Sequence, residues 1–330
     1  MIHTFKLMFE LHYQEVQDMQ RRLNIKYTEL NDYFEGVFPG VTMAISNSGN
    51  GKWKLYMVAD AIQLLGKPDI TEADYISLKK EIRYILWNIV GHSAYYKNQT
   101  LLRIDYRYDV PIANIDTRML FMDLYKKQTK SYRFQKKSLG KLKDGVFDPY
   151  KTTVYHSSQS IKSMVYLKQE EREAKGERVE YYERNVIRFE IQIMENHLYY
   201  MERKNDKDPR PRKLSEYMKD DVYKEYFRKY MAQIYHLGDF YKIDEARNRL
   251  KSSSLSSANK IKLIEFLKQV SSHSVDTPLN KMAKGTYKKR LALLQEVGIN
   301  PILIPKNYTS KETSQKAPPY LENPLNEFPW

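Results

Sequence analysis

Three stretches of this chain alternate apolar and polar side chains with period two, and that alternation constrains its architecture more than any other feature. Over residues 186–194, Ile187, Phe189, Ile191 and Ile193 fall on one side of an extended backbone, with Arg188, Glu190 and Gln192 on the other. Over residues 101–109, Leu102, Ile104, Tyr106 and Tyr108 oppose Arg103, Asp105, Arg107 and Asp109. Over residues 161–168, Ser163, Val165 and Leu167 oppose Lys162, Met164, Tyr166 and Lys168. Such strands belong in a sheet that rests one face on a core and turns the other to polar surroundings.

The remaining pattern alternates strands and helices irregularly. Residues 2–9 read as an opening strand, followed by helical periodicity over 13–34. Residues 41–45 and 52–58 flank the turn-rich string Ser46-Asn47-Ser48-Gly49-Asn50-Gly51 and read as a hairpin. Thr71 suits the N-cap of a helix whose apolar side carries Ile82, Ile85, Leu86 and Ile89, stopped at Gly91. Asn114 caps another helix through Met119, Leu120 and Leu124. Irregular alternation with at least one hairpin predicts an α+β fold on an antiparallel or mixed central sheet with flanking helices.

The second half reads as helical. Residues 214–237 form a Tyr-rich amphipathic pattern, and 260–270 and 280–297 read as two helices joined in a helix-turn-helix-like arrangement. The expected organisation is an α+β domain over residues 1–200, a helical DNA-binding region over 201–305 and an extended tail over 306–330.

Charge narrows the function. The 330 residues carry 55 Lys and Arg against 41 Asp and Glu, a net charge of +14, which favours a polyanionic partner. The excess is concentrated. Residues 126–168 hold eleven basic side chains against Asp144 and Asp148, and residues 251–310 hold ten against Glu265, Asp276 and Glu296. These windows exceed the whole net charge, so two basic surfaces are expected, with Lys136, Lys137, Lys141, Lys281, Lys284, Lys288, Lys289 and Arg290 as DNA-binding candidates. The absence of cysteine excludes disulfides, thiolate catalysis and Cys-ligated metal. No stretch approaches the roughly 18 apolar residues of a membrane helix, and Met1 to Lys6 lacks the form of a secretory signal. A soluble intracellular protein without a membrane partner is expected.

If the three alternating strands share a sheet, one face gathers Asp105, Asp109 and Glu190 with Tyr166 and Lys168. Carboxylates from separate strands, without cysteine or a His-rich motif, are hard oxygen donors suited to Mg²⁺ or Mn²⁺. Such an ion polarises a phosphate while a tyrosine hydroxyl attacks phosphorus. A free phenol ionises near pH ~10 and needs a nearby cation to act at neutral pH; Lys168, two residues on, is the candidate. Against this stands the plainer reading that solvent-facing strand positions are polar in any protein, and that most of 28 tyrosines are structural.

Leu102-Arg103-Ile104-Asp105, Thr152-Thr153-Val154-Tyr155, Ser163-Met164-Val165-Tyr166-Leu167-Lys168 and Val186-Ile187-Arg188-Phe189-Glu190 together resemble, in order and spacing, the replication initiators of filamentous phages typified by the gene II protein. The opening strand and the segment from Met282 through Tyr287 to Leu291 extend the likeness. It is similar too to plasmid rolling-circle initiators and conjugative relaxases in which Tyr-x-Lys and Arg-Phe-Glu strands recur.

The resemblance implies a site-specific endonuclease and strand transferase of the bacterial cytoplasm that nicks and recloses one DNA strand at an origin. Tyr166 would be the nucleophile and Lys168 and Arg188 would flank the scissile phosphate. Asp105 and Glu190, with Asp109 less firmly, would hold Mg²⁺ or Mn²⁺. Its partners would be origin DNA and the host helicase and polymerase. None of the seven histidines forms a His-hydrophobic-His motif, which excludes the nickase superfamily built on it; His156 could lie beside the metal, but a lone His at a strand end is more often a surface hydrogen-bonder. Gly49-Asn50-Gly51-Lys52 lacks the spacing of a nucleotide-binding loop. The alternative is a non-catalytic DNA- or RNA-binding protein whose sheet stacks bases on Tyr and Arg.

Overall fold

A computed structural model describes residues 1–47, 49, 52–127, 135–137, 140–143, 146–205, 207–310 and 313–330, with the backbone alone described at 136–137, 141–143 and 146–149. The fold is α+β. Ten strands precede the helical C-terminal region: β1 (Ile2–Leu11), β2 (Val41–Asn47), β3 (Trp53–Asp60), β4 (Thr100–Pro111), β5 (Gln135–Lys137), β6 (Gly140–Lys143), β7 (Val146–Pro149), β8 (Thr153–Ser157), β9 (Ile161–Leu167) and β10 (Val186–Met194). Eight form one sheet in the order β2-β3-β1-β4-β10-β9-β8-β5, while β6 and β7 pair separately. The expected hairpin is β2 and β3, antiparallel from Val41↔Ala59 to Asn47↔Trp53. Among the described residues no helix is long and apolar enough to cross a membrane.

The chain clusters into two interleaved units. The first comprises Met1–Arg107, Gln159–Lys162 and Glu190–Glu225. Its central strand β1 pairs antiparallel with β3 and with β4, and its register with β4 shifts between Ile2 and Phe5 and again between Lys6 and Leu7. Phe5, Leu7, Leu55, Met57 and Ile104 are fully buried, as are Ile82, Ile85, Leu86 and Ile89 of the helix Tyr75–Val90. Each such side chain contributes roughly 1.5–3 kcal/mol of burial. Gly91 closes this helix at φ +84° as expected, whereas Thr71 caps a separate 3₁₀ turn, Glu72–Asp74, its amide donating to Asp74 at 2.9 Å in a capping box, and Asp74 takes the N-cap position of the helix itself.

The second unit comprises Tyr108–Ser158, Ser163–Phe189 and Tyr226–Trp330. Asn114 caps the helix Ile115–Tyr125, its Oδ1 accepting from the Thr117 amide at 2.9 Å. Tyr125 from that helix packs against Phe189, Tyr235 and Phe240, with ring centroids 5.3–5.9 Å apart.

The pattern over 214–237 is not one continuous helix. It breaks into Leu214–Tyr217, Asp220–Phe227, a π-turn at Arg228–Ala232 and Gln233–Tyr235, where His236 leaves the helical region at φ +55°. The two expected C-terminal helices are Ser257–Ser272 and Lys284–Glu296; the second starts late because Thr277–Asn280, led by Pro278, makes a separate 3₁₀ turn. Residues 306–330, read from sequence as an extended tail, are packed where described. Strand β11 (Phe240–Tyr241) pairs with β12 (Tyr320–Leu321). The Asn323 side chain donates to the carbonyls of His236 and Gly238 at 3.0 Å and accepts from Tyr125 Oη at 3.2 Å. Phe328 stacks on Phe227 with centroids 4.6 Å apart. Gly238 has no room for a side chain, since a Cβ there would stand 2.7 Å from the Ile299 carbonyl carbon.

Candidate active site

In the first unit, Asp105 of β4 and Glu190 of β10 come from neighbouring strands and are both buried. Arg103 lies 3.3 Å from Asp105 Oδ2, and Gln192 also hydrogen-bonds this carboxylate, whereas Oδ1 is buried without a hydrogen-bond partner. Burial first, and then the charge of Glu190, push Asp105 up to about 7, while Arg103 and Lys162 pull the other way. Two buried carboxylates on neighbouring strands favour a proton or a cation between them.

His3 was not singled out from the sequence. Its Nδ1 is 3.7 Å from Glu190 Oε2 and its Nε2 is 3.7 Å from Asp60 Oδ2, so the imidazole stands between two acids. Asp60 is fixed as the N-cap of the helix Ala61–Leu65, accepting from the Ile62 and Gln63 amides at 2.9 and 3.1 Å. The register shift between Ile2 and Phe5 interrupts the alternation of β1, so the facing of His3 is not readable from its place in the sequence.

In the second unit, Arg188 of β10 is fully buried. It donates from Nε and Nη2 to the two oxygens of Asp109 at 2.7 and 2.8 Å. Asp109, expected as a third metal ligand, thus has both oxygens engaged by a guanidinium. Lys168 is not on the strand, which ends at Leu167; it is the first residue of the helix Lys168–Lys175. Its Nζ nevertheless lies 5.9 Å from the Tyr166 ring centroid, bonded to Glu171 at 2.7 Å and 3.6 Å from Glu183. Burial and the charge of Arg188 hold Lys168 below the ordinary lysine value against the pull of Glu171. Glu183, buried and also bonded by Arg172 at 3.1 Å, is a further acid of this cluster. Tyr166 itself is 8% exposed.

His156 is not a surface hydrogen-bonder. It is fully buried, with Nδ1 3.1 Å from Tyr235 Oη. Among the described residues no group of three or more His, Asp or Glu side chains is arranged to hold an ion. The donor set nonetheless fits Mg²⁺ or Mn²⁺, ions commonly held by one or two carboxylates with water and substrate phosphate completing the shell. Asp105 and Glu190 are that pair of hard donors, and Asp105 Oδ1 has no other partner.

Of the basic candidates, the side chains of Lys136, Lys137 and Lys141 lie outside the described residues. Lys281, Lys284, Lys288 and Lys289 are exposed, and Arg290 lies over the Phe266 ring at 5.9 Å. The helices Ser257–Ser272 and Lys284–Glu296 enclose a cleft of about 240 Å³ whose charged lining is Lys262, Lys289 and Arg290, with no acid. Lys262 was not among the sequence candidates, because the cleft exists only once the two helices pack.

No protein-family model matches the chain, and no curated protein matches it. A solved structure, described as a rolling circle replication initiator protein from Geobacillus stearothermophilus, is similar to this chain at 11% identity and a TM-score of 0.33, covering 93% of this chain and 98% of that one. A likeness that loose carries no argument about the chemistry here.

Proposed function

We propose that the chain is a rolling-circle replication initiator that nicks and recloses one strand of origin DNA through a phosphotyrosyl intermediate. The observation that carries the proposal is the buried Asp105–Glu190 pair with an unsatisfied carboxylate oxygen. The sequence motifs around Tyr166 and Glu190 point the same way.

When bound by Asp105 and Glu190, Mg²⁺ or Mn²⁺ would polarise the scissile phosphate and offset its charge. Lys168, whose Nζ lies 5.9 Å from the Tyr166 ring centroid, and Arg188 would flank the scissile phosphate. The Tyr166 oxygen forms a bond to phosphorus, the P–O3′ bond breaks, and the phenolic proton ends on the departing 3′ oxygen. The products are a 5′-phosphotyrosyl end and a free 3′-OH, which a host polymerase extends behind a host helicase. Attack by a 3′-OH on the phosphotyrosine reverses the step and recloses the strand without ATP. The basic C-terminal helices and the 126–151 segment would bind the duplex origin by its phosphates.

The burial of Tyr166 favours a second reading, a non-catalytic DNA- or RNA-binding protein, because an attacking phenol must reach its phosphate. Incubation with supercoiled origin DNA and Mg²⁺ or Mn²⁺ separates the two. The enzyme leaves open-circular DNA with protein covalently attached. Tyr166→Phe forms no adduct, and Glu190→Gln binds duplex without nicking. Origin binding with no nick under any metal condition refutes the enzyme and leaves the binding protein.

A further inference from the structure

The helix Tyr75–Val90 buries Leu78, Ile82, Ile85, Leu86 and Ile89, and its opposite face is unusual for a solvated surface. Ile76, Tyr84 and Trp87 are 69%, 55% and 58% exposed, and Lys80 and Arg83 are exposed among them. At 100° per residue these five side chains fall within an arc of roughly 100°. The helix's only acid, Glu81, is half-buried and lies off that arc. The stripe therefore combines two large rings, an aliphatic side chain and two cations, with no acid on it.

Tyr84 and Arg83 are held in place. Phe38 meets the Tyr84 ring edge-on with centroids 6.2 Å apart, and Phe34 in turn packs against Phe38 at 5.2 Å. Arg83 is steadied by a 3.1 Å bond from Nε to Ser93 Oγ. Arg22 adds a third cation at the last turn of the helix, donating to the Asn88 carbonyl at 2.8 Å and also to that of Ile89. The adjoining segment carries Asp32 and Glu35 beside the exposed Tyr33, so an anion would keep to the helix.

Exposed aromatic rings interleaved with cations suit a ligand that is flat and apolar at some positions and anionic between them. Single-stranded nucleic acid has that chemistry, its bases stacking on rings and its phosphates pairing with Lys and Arg. Duplex DNA lacks it because its bases are already stacked. A second copy of this chain is less suited to the stripe, because the face brings uncompensated positive charge and no acid to pair with its own cations.

We propose that the Ile76–Trp87 stripe is a stacking platform for single-stranded DNA, with Trp87 and Tyr84 receiving bases and Lys80, Arg83 and Arg22 receiving phosphates. The platform is independent of strand cleavage, and binding is read without nicking, so the Tyr166→Phe protein serves as well as wild type.

The test is fluorescence anisotropy of labelled oligo(dT) of about 16 nucleotides against the full chain, with an unlabelled random duplex as a second ligand. Trp87→Ala and Tyr84→Ala should each weaken oligo(dT) binding about tenfold and leave duplex affinity unchanged. Lys80→Ala with Arg83→Ala should weaken it and flatten its salt dependence. Both aromatic residues are exposed, so circular dichroism of the variants should match wild type. Unchanged oligo(dT) affinity in both aromatic variants overturns the proposal. So does a Trp87→Ala effect confined to self-association in sedimentation, which would assign the stripe to a second copy.

Discussion

Replacing Asp109 with Asn tests the bidentate ion pair that Asp109 makes with the buried Arg188 in the second unit. Arg188 is wholly removed from solvent and donates two bonds, of 2.7 and 2.8 Å, to the oxygens of Asp109. In Asp109→Asn the amide presents one acceptor and no charge, so the guanidinium loses its neutralising partner. Removing one partner of a buried pair typically costs about 3–5 kcal/mol. The Asp109 side chain is 19% exposed, so water reaches part of the site and the lower end, about 3 kcal/mol, is expected. The charge of Lys168, already felt across the cluster by Arg188, adds to the penalty. For a chain of this size the loss corresponds to a fall in Tm of about 4 °C, read by differential scanning calorimetry. If the protein unfolds in two transitions, the fall belongs to the one that reports the second unit. A double variant, Arg188→Met with Asp109→Leu, removes both charges and should recover much of the loss, because apolar replacement of a buried pair is often neutral or better. An Asp109→Asn protein that melts within about 1 °C of wild type would refute the reasoning, since it would mean that Arg188 is neutralised elsewhere.

Two further outcomes are expected. Lys262→Ala with Lys289→Ala removes two exposed cations of the C-terminal cleft without touching its apolar lining; duplex affinity should fall, and the slope of log K against log salt should become shallower by about 0.9 for each DNA phosphate no longer neutralised. An unchanged slope would take the cleft out of the DNA interface. Burial lowers His236 to about 4 from its ordinary 6.5, so the unfolded chain binds the proton more readily between those values. Stability should therefore be full above pH ~6.5 and fall as the pH drops towards ~4, by up to about 3 kcal/mol. His236→Gln should remove that part of the acid sensitivity in melts taken from pH 4 to pH 8, and an unaltered profile would count against it.

The strands illustrate how far local pattern carries. Period-two alternation is a property of adjacent residues, so β10 and the polar faces of β4 and β9 were legible in the sequence. So were the Asn114 cap, the Gly91 stop and the antiparallel pairing of β2 with β3, each set by residues close in the chain. Lys168 shows the limit of the same rule: extending the alternation by one residue put it on a strand, whereas the chain turns into a helix there and brings the ammonium beside Tyr166 by a different route.

What the sequence determined by itself was the α+β class, the faces of the strands and the clustering of positive charge, because these follow from spacing and composition. Only the tertiary structure decided which acid met which partner. Asp105 and Glu190 lie 85 positions apart in the chain and are brought together by strand order, His3 reaches Glu190 past a break in the β1 register, and Asp109 went to Arg188. The C-terminal stretch likewise looks like a tail until Asn323 and Phe328 find their places against residues about 85 to 200 positions earlier. Contacts over such separations depend on how sheet and helices close around a shared core, and no short-range periodicity encodes that closure.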